Sequence, residues 1–385
     1  MSYYIAHAER RPQLAIALGG GGARAAYQVG VLKGIADRFP NLMTPLLTGV
    51  SAGAINVAHL ANHTGTFQQK CADLKELWEN LTFENVFTVE PLKLLSRIAR
   101  VGLRLTVGLP PGVPQAHGMV DTSPLREFLH RALHTETGSL PGIAENIRRG
   151  ELAAVAITAL NYRTGETITF VEGKQIEGWE RPLRKSVHES LTVEHVMGSA
   201  ALPLFFPAVQ IDDDWFGDGG IRQVAPLSPA IHLGAERLLV LSTHYEVPHA
   251  GPGLEKIVGP PSPAVVLGAL YNAVFLDQLD QDVLQMERIN ELIRFTDPQR
   301  RNGFRDVKTT VIRPHTDIGA IANRYEHKLP KTFRYFMRRF GSGETKQQDF
   351  ISTVMFHPEF LRELITVGEQ DAVQYAVEIA EFLQT

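Results

Sequence analysis

The chain has 385 residues, 44% of them apolar, and its 38 basic against 42 acidic side chains leave a net charge of −4. That length and apolar content support a large core, which excludes a disordered chain, and the near balance of charge excludes bulk electrostatic recruitment of nucleic acid. Cys71 is the only cysteine, so neither an intrachain disulfide framework nor a multi-cysteine zinc site can form.

Taken in chain order, "MSYYIAHAERR" lacks the basic start and apolar run of a secretory signal. "QLAIAL" (13–18) is a continuous apolar run closed by four glycines, as expected of a strand buried on both faces of a parallel sheet. "ARAAYQVGVLKGIADRF" follows at helical spacing, then "TPLLTGV" as a second strand and "AGAINVAHLANH" as a second helix. This alternation predicts βαβ units and an α/β fold.

"FQQKCADLKELWEN" and "SPLREFLHRALH" read as helices, the first making Cys71 a small core residue. The spacing of "PLKLLSRIARVGLRLTV" (91–107) puts Lys93, Arg97, Arg100 and Arg104 on one helical stripe, opposite Leu94, Leu95, Ile98, Val101 and Leu105. Such a helix either packs on the protein or makes peripheral membrane contact. "ELAAVAITALN" and "ETITFVEG" resume strand character, and "VQIDDDWFGDGG" reads as a hairpin turning at Asp212 to Asp214. "PLSPAIHLG" and "RLLVLST" add a helix and a strand.

Near residue 245 a Pro/Gly-rich connector changes the character of the chain, which places an α/β domain over 13–245 and a mostly helical C-terminal extension over 246–385, interrupted by the strand "VKTTVIRP". The longest apolar stretch, "AVVLGALYNAVFL", is too short to span a membrane, so the expected location is cytoplasmic, with any membrane contact peripheral.

Chemistry concentrates at "LLTGVSAGAIN". Gly49-x-Ser51-x-Gly53 between a strand and a helix has the form of a nucleophile elbow, in which a tight turn projects the serine hydroxyl above the sheet. A bland alternative is that Ser51 only caps the following helix. Against it stands "LGGGGARAAYQVG", a glycine cluster at the neighbouring strand-to-helix junction, where outward amide groups attract negative charge. A nucleophile beside free amide donors is the arrangement acyl transfer requires. Gly20-x-Gly22-x-x-Ala25 also fits a dinucleotide fingerprint, but the elbow occupies the place of the ribose-binding acid, and Asp37 comes too early. No Gly-Lys-Ser/Thr follows, so no Walker phosphate loop is present.

The serine needs a base. His232, His244, His315 and His327 lie late enough for a hydrolase triad, yet none has a distinctive context, and neither "HESLTVEH" (188–195) nor "HYEVPH" (244–249) has the His-Glu-x-x-His spacing of a zinc site. "WFGDGGI" stands out instead: Asp218 ends a strand immediately before Gly219 and Gly220, although a plain turn aspartate reads the same way.

In combination, "GGGGAR", "GVSAG" and "DGG", with "GSAALPLFFPAV" (198–209), resemble the patatin-like phospholipase family over roughly residues 13–245. The resemblance implies a three-layer α/β/α sandwich with a mainly parallel sheet. It implies a catalytic dyad of Ser51 and Asp218 without histidine, an oxyanion hole at Gly20, Gly21 and Gly22, and a basic residue at Arg24. Gly49, Gly53, Gly219 and Gly220 then support the two catalytic turns. Ala25 departs from the family's commoner glycine. The implied substrate is a lipid or other acyl ester, cleaved with no metal and no organic cofactor. A catalytically silent binder of acyl chains would keep the same fold. Oligomeric state and ester class are not set by these motifs.

Overall fold

The protein is described here from a computed structural model covering residues 13–88, 118–245 and 278–384, apart from 175, 204, 224, 302, 332, 333 and 335–346. The basic stripe at 91–107 and most of the connector after 245 lie outside the described residues.

Among the described residues, the apolar runs become the centre of a ten-stranded sheet. Its strands are β1 (Leu14–Leu18), β2 (Leu46–Val50), β3 (Ala154–Asn161), β4 (Thr167–Gly173), β5 (Glu180–Arg181) and β6 (Arg184–His188). They continue with β7 (Val209–Ile211), β8 (Asp214–Asp218), β9 (Arg237–Leu241) and β10 (Lys308–Ile312). The order is β10-β9-β1-β2-β3-β4-β6-β5, with β8 paired to both β3 and β7. The five strands from β10 to β3 are mutually parallel, whereas β3 meets β4 and β8 antiparallel. Both faces of the parallel part are covered, which is why β1 and β2 are buried at every position rather than alternating with polar residues.

The period of two along each strand sorts side chains into two cores. Ile16, Leu18 and Leu47 join the larger core with α1 (Ala26–Arg38), α2 (Ala52–Asn62) and α3 (Phe67–Glu79). Ala15, Ala17 and Leu46 face the smaller one, built with Leu227 and Ala230, at the start of and within the helix at 228–232, and Met286 from the helix at 278–294. The molecule is therefore an α/β/α sandwich. Cys71 is fully buried in the larger core, and burial pushes its thiol above the usual range.

The chain beyond residue 278 also builds on this sheet: β10 pairs with β9, and the helix at 358–374 packs along α1. The two helices cross where glycine meets glycine. A Cβ on Gly30 would lie 2.0 Å from the Ile365 carbonyl oxygen, and one on Gly368 would lie 2.2 Å from that of Tyr27. Beside the crossing, the Tyr27 hydroxyl donates to Asp371 Oδ2 at 2.9 Å, and the other carboxylate oxygen meets His315 Nδ1. Among the described residues, no helix is long and apolar enough to cross a membrane.

Candidate active site

Strand β2 ends at Val50, and α2 begins at Ala52, so Ser51 alone makes the turn. Its backbone sits at φ 55° and ψ −130°, a conformation that costs an L-residue about 1–3 kcal/mol and persists only when its surroundings enforce it. The neighbours require glycine. A Cβ on Gly53 would lie 2.3 Å from the Leu18 carbonyl oxygen at the end of β1, and one on Gly49 would lie 2.6 Å from the Gly53 oxygen.

The Ser51 side chain makes no capping bond to α2. Instead, Oγ donates to Asp218 Oδ2 at 2.6 Å. Asp218 arrives from 167 positions further along the chain because β8 pairs antiparallel with β3, setting Asp218 opposite Ala159 at the edge where β2 also ends. Gly219 and Gly220 open a short 3-10 turn, and the Gly220 amide donates to Asp218 Oδ1 at 2.8 Å. Asp218 is fully buried, and burial pushes its carboxyl up to about 7, against the opposing pull of the bonds from Ser51 and Gly220.

The glycine-rich loop lies against this pair. Gly20 is the nearest: a Cβ there would stand 3.0 Å from Ser51 Cβ. Gly22 leads a 3-10 turn with φ 56° before α1, and Arg24 is buried in that turn, its amide donating to the Gly21 oxygen at 3.1 Å. Two carbonyls of the loop are tethered: Gly19 O accepts from Gln28 Nε2 at 2.9 Å and Gly20 O from Thr243 Oγ1 at 2.9 Å. A trans peptide points its N–H opposite its carbonyl, so the amides of Gly20 and Gly21 face away from these tethers. Neither amide has a protein acceptor among the described residues. Gln28 is itself held by Asn56 at 3.1 Å, and Asn56 by Trp78 at 2.8 Å, a buried polar chain that fixes the loop to α2 and α3.

Two supporting residues escape sequence reasoning. Ser199, fully buried, accepts the Ser51 amide at 3.0 Å and donates to the Thr158 carbonyl at 2.6 Å. Thr243 follows β9 and tethers Gly20. Ser199 stands inside the "GSAALPLFFPAV" stretch, which was a usable signal; Thr243 carries none.

None of the late histidines is hydrogen-bonded to Ser51 or Asp218 among the described residues, and His327 lies in a 3-10 turn at 326–328. His232 stacks on Trp179, His315 pairs with Asp371, and His244 faces Asp280 at 3.6 Å. His59 lines the same cavity as Ser51, but it is two turns along α2, bonded to the Lys70 carbonyl at 3.1 Å, and burial lowers it to about 4. That cavity is apolar, about 860 Å³ with its open mouth, and is walled by Ile55, Leu74, Trp78, Leu129, Leu202 and Phe356 among others. Among the described residues, no three His, Cys, Asp or Glu side chains converge as a metal site.

The family profile described as patatin-like phospholipase matches residues 16–231, more than half of the chain, and the chain belongs to that family. Comparison with curated proteins finds no match. Similar solved structures include human GIVD cytosolic phospholipase A2 in complex with methyl gamma-linolenyl fluorophosphonate and terbium chloride, at 14% identity and a TM-score of 0.46 over 97% of this chain. The chain spans 59% of the length of that phospholipase. VipD from Legionella pneumophila is 12% identical with a TM-score of 0.32, covering 92% of this chain and 67% of its own. The type III effector ExoU is 14% identical with a TM-score of 0.33, covering 94% and 53% respectively.

Proposed function

We infer that the chain is a serine acyl hydrolase that cleaves fatty acyl esters of lipids through Ser51 and Asp218. The observation that carries this reading is the 2.6 Å bond between a strained serine hydroxyl and a fully buried carboxylate, at the mouth of an apolar cavity. An aspartate with an ordinary acidity is too weak a base to take a serine proton near neutral pH. Burial moves Asp218 toward neutrality, where general-base catalysis is efficient.

In the first step, Ser51 Oγ attacks the ester carbonyl while its proton passes to Asp218. The leaving alcohol takes that proton, and an acyl group remains on Ser51. Water attacks the acyl-enzyme with the same carboxylate as base, releasing the fatty acid. The amides of Gly20, Gly21 and Gly22 are the oxyanion donors in this reading, supported by the nearness of Gly20 to Ser51 and the tethered carbonyls on their other side. Arg24, Gly49, Gly53, Gly219 and Gly220 shape the turns that carry these groups. The basic stripe at 91–107 is proposed to bring the protein to bilayer lipid from the cytoplasm.

Labelling by a fluorophosphonate probe and turnover of p-nitrophenyl butyrate test the reading. Both are expected in the wild type and lost in Ser51→Ala, with turnover lost in Asp218→Asn. Labelling that persists in Ser51→Ala overturns the nucleophile, and full activity in Asp218→Asn overturns the base. A folded wild type that neither labels nor turns over is the silent binder.

A further inference from the structure

We propose that the acyl cavity is closed at its far end by a wall of Leu77, Phe128, Ala132 and His59, and that this wall limits efficient substrates to acyl chains of about ten carbons. The proposal rests on the hydrolase reading and adds its chain-length specificity. Ile55 and His59 lie one and two turns along α2 from Ser51 at its N-terminal cap, so Ile55 and His59 share one stripe of the helix, and all three residues line the cavity. Eight residues at 1.5 Å each give a length of about 12 Å from the nucleophile to His59. A saturated chain built of ~1.5 Å bonds at tetrahedral angles advances about 1.25 Å per carbon, so about ten carbons fill that length.

Beyond this distance the surroundings change. His59, Leu77, Phe128 and Ala132 also line a second, shallower cleft of about 960 Å³ at the surface, together with Asp73, Glu76, Arg131 and His134. The four shared residues therefore show one side to the acyl cavity and the other to a charged, solvent-open cleft. Leu77 from α3 and Phe128 from the helix at 123–132 are only half-buried, as a thin partition requires. His59 cannot swing aside freely, because its ring is bonded to the Lys70 carbonyl, and burial keeps it neutral and compatible with an apolar chain. Each methylene that enters the cavity gains about fourfold in affinity from leaving water. A methylene beyond the wall would meet a polar cleft and gain nothing.

The test is the kcat/KM series for monomeric p-nitrophenyl esters from butyrate to palmitate. In the wild type, kcat/KM should climb about fourfold per methylene and break near ten carbons. Leu77→Ala and Phe128→Ala, which join the cavity to the cleft, should move the break to longer chains and raise the ratio of myristate to butyrate turnover about tenfold. Ile55→Phe, one turn from Ser51, should move the break to about five carbons, about 6 Å along the helix. A break that stays in place in all three variants, or a series that climbs unbroken to palmitate in the wild type, overturns the wall.

Absence of turnover on every ester is instead the failure of the hydrolase reading. The wall is then read by binding, because Trp78 lines the cavity. Quenching of Trp78 by brominated fatty acids of graded length, in a Trp179→Phe, Trp215→Phe background, should show the same break in affinity and the same displacement in Leu77→Ala. Affinity that rises steadily past the expected length overturns the proposal.

Discussion

The backbone amide of Ser51 donates to the side-chain oxygen of Ser199 at 3.0 Å, and Ser199 in turn donates to the Thr158 carbonyl on β3. Ser199 thus ties the strained elbow to the sheet from below, in a site no water reaches. Ser199→Ala leaves a buried amide and a buried carbonyl without their partner, at a cost of about 1–3 kcal/mol for each group left unsatisfied. We expect a lower melting temperature and a fall in kcat of about tenfold or more with KM little changed, because the apolar cavity is untouched. A kcat equal to wild type in the folded variant would show that the elbow holds its shape without this tie.

In the proposed mechanism the carboxylate form of Asp218 is the base, so kcat/KM should rise with slope one on a logarithmic plot and level off above about pH 7. A plateau that extends down to pH 5 would mean that the buried carboxyl titrates at its ordinary value.

The same burial affects folding. In the unfolded chain Asp218 titrates near 3.8, and in the folded chain near 7. Between those values the folded state holds a proton that the unfolded state has shed. The stabilisation linked to that proton is fully present below about pH 4 and is lost as pH rises through about 7, at up to ~1.4 kcal/mol per pH unit. Asp218→Asn cannot ionise, keeps an acceptor for the Gly220 amide, and should unfold at higher denaturant than wild type at pH 8. The difference should shrink toward pH 4. Urea melts at the two pH values measure it, and an Asn variant less stable at pH 8 would contradict the linkage.

At the crossing of α1 with the helix at 358–374, Gly30→Val places carbon atoms where the Ile365 backbone already stands. Because that contact is backbone rather than a movable side chain, the helices must separate, and we expect a loss of several kcal/mol or failure to fold. Tyr27→Phe is milder: it removes one bond to a buried carboxylate that His315 still contacts, and should cost about 1–3 kcal/mol. Equal stability of Tyr27→Phe and wild type in urea would show that the bond has no net worth.

Local patterns carried most of what the sequence revealed. The elbow at Gly49 to Gly53 was legible because its glycines flank one serine at fixed spacing within a single strand-turn-helix unit, and β1, β2 and β9 because double burial writes them as largely apolar runs. Strands β5 and β6, beyond β4 at one end of the sheet, were not legible, since their charged, half-buried or exposed residues carry neither alternation nor an apolar run. Asp218 could be singled out from its two glycines, but its meeting with Ser51 depends on β8 running antiparallel to β3, a tertiary fact. Thr243 and the cavity residues Leu77 and Phe128 belong to the same class. Each is placed by packing between segments far apart in the chain, for which a single sequence holds no local sign.

Thr243 reaches back 223 positions to hold the Gly20 carbonyl, and a Cβ on Gly22 would strike the Thr353 backbone at 2.2 Å. The frame around the glycine loop is therefore assembled from the earliest and the latest parts of the chain. A ribosome releases Ser51 long before it releases these two threonines. A nascent or prematurely terminated chain carries the serine without its completed surroundings, so the appearance of activity during translation would mark the moment at which the last packing helices have docked.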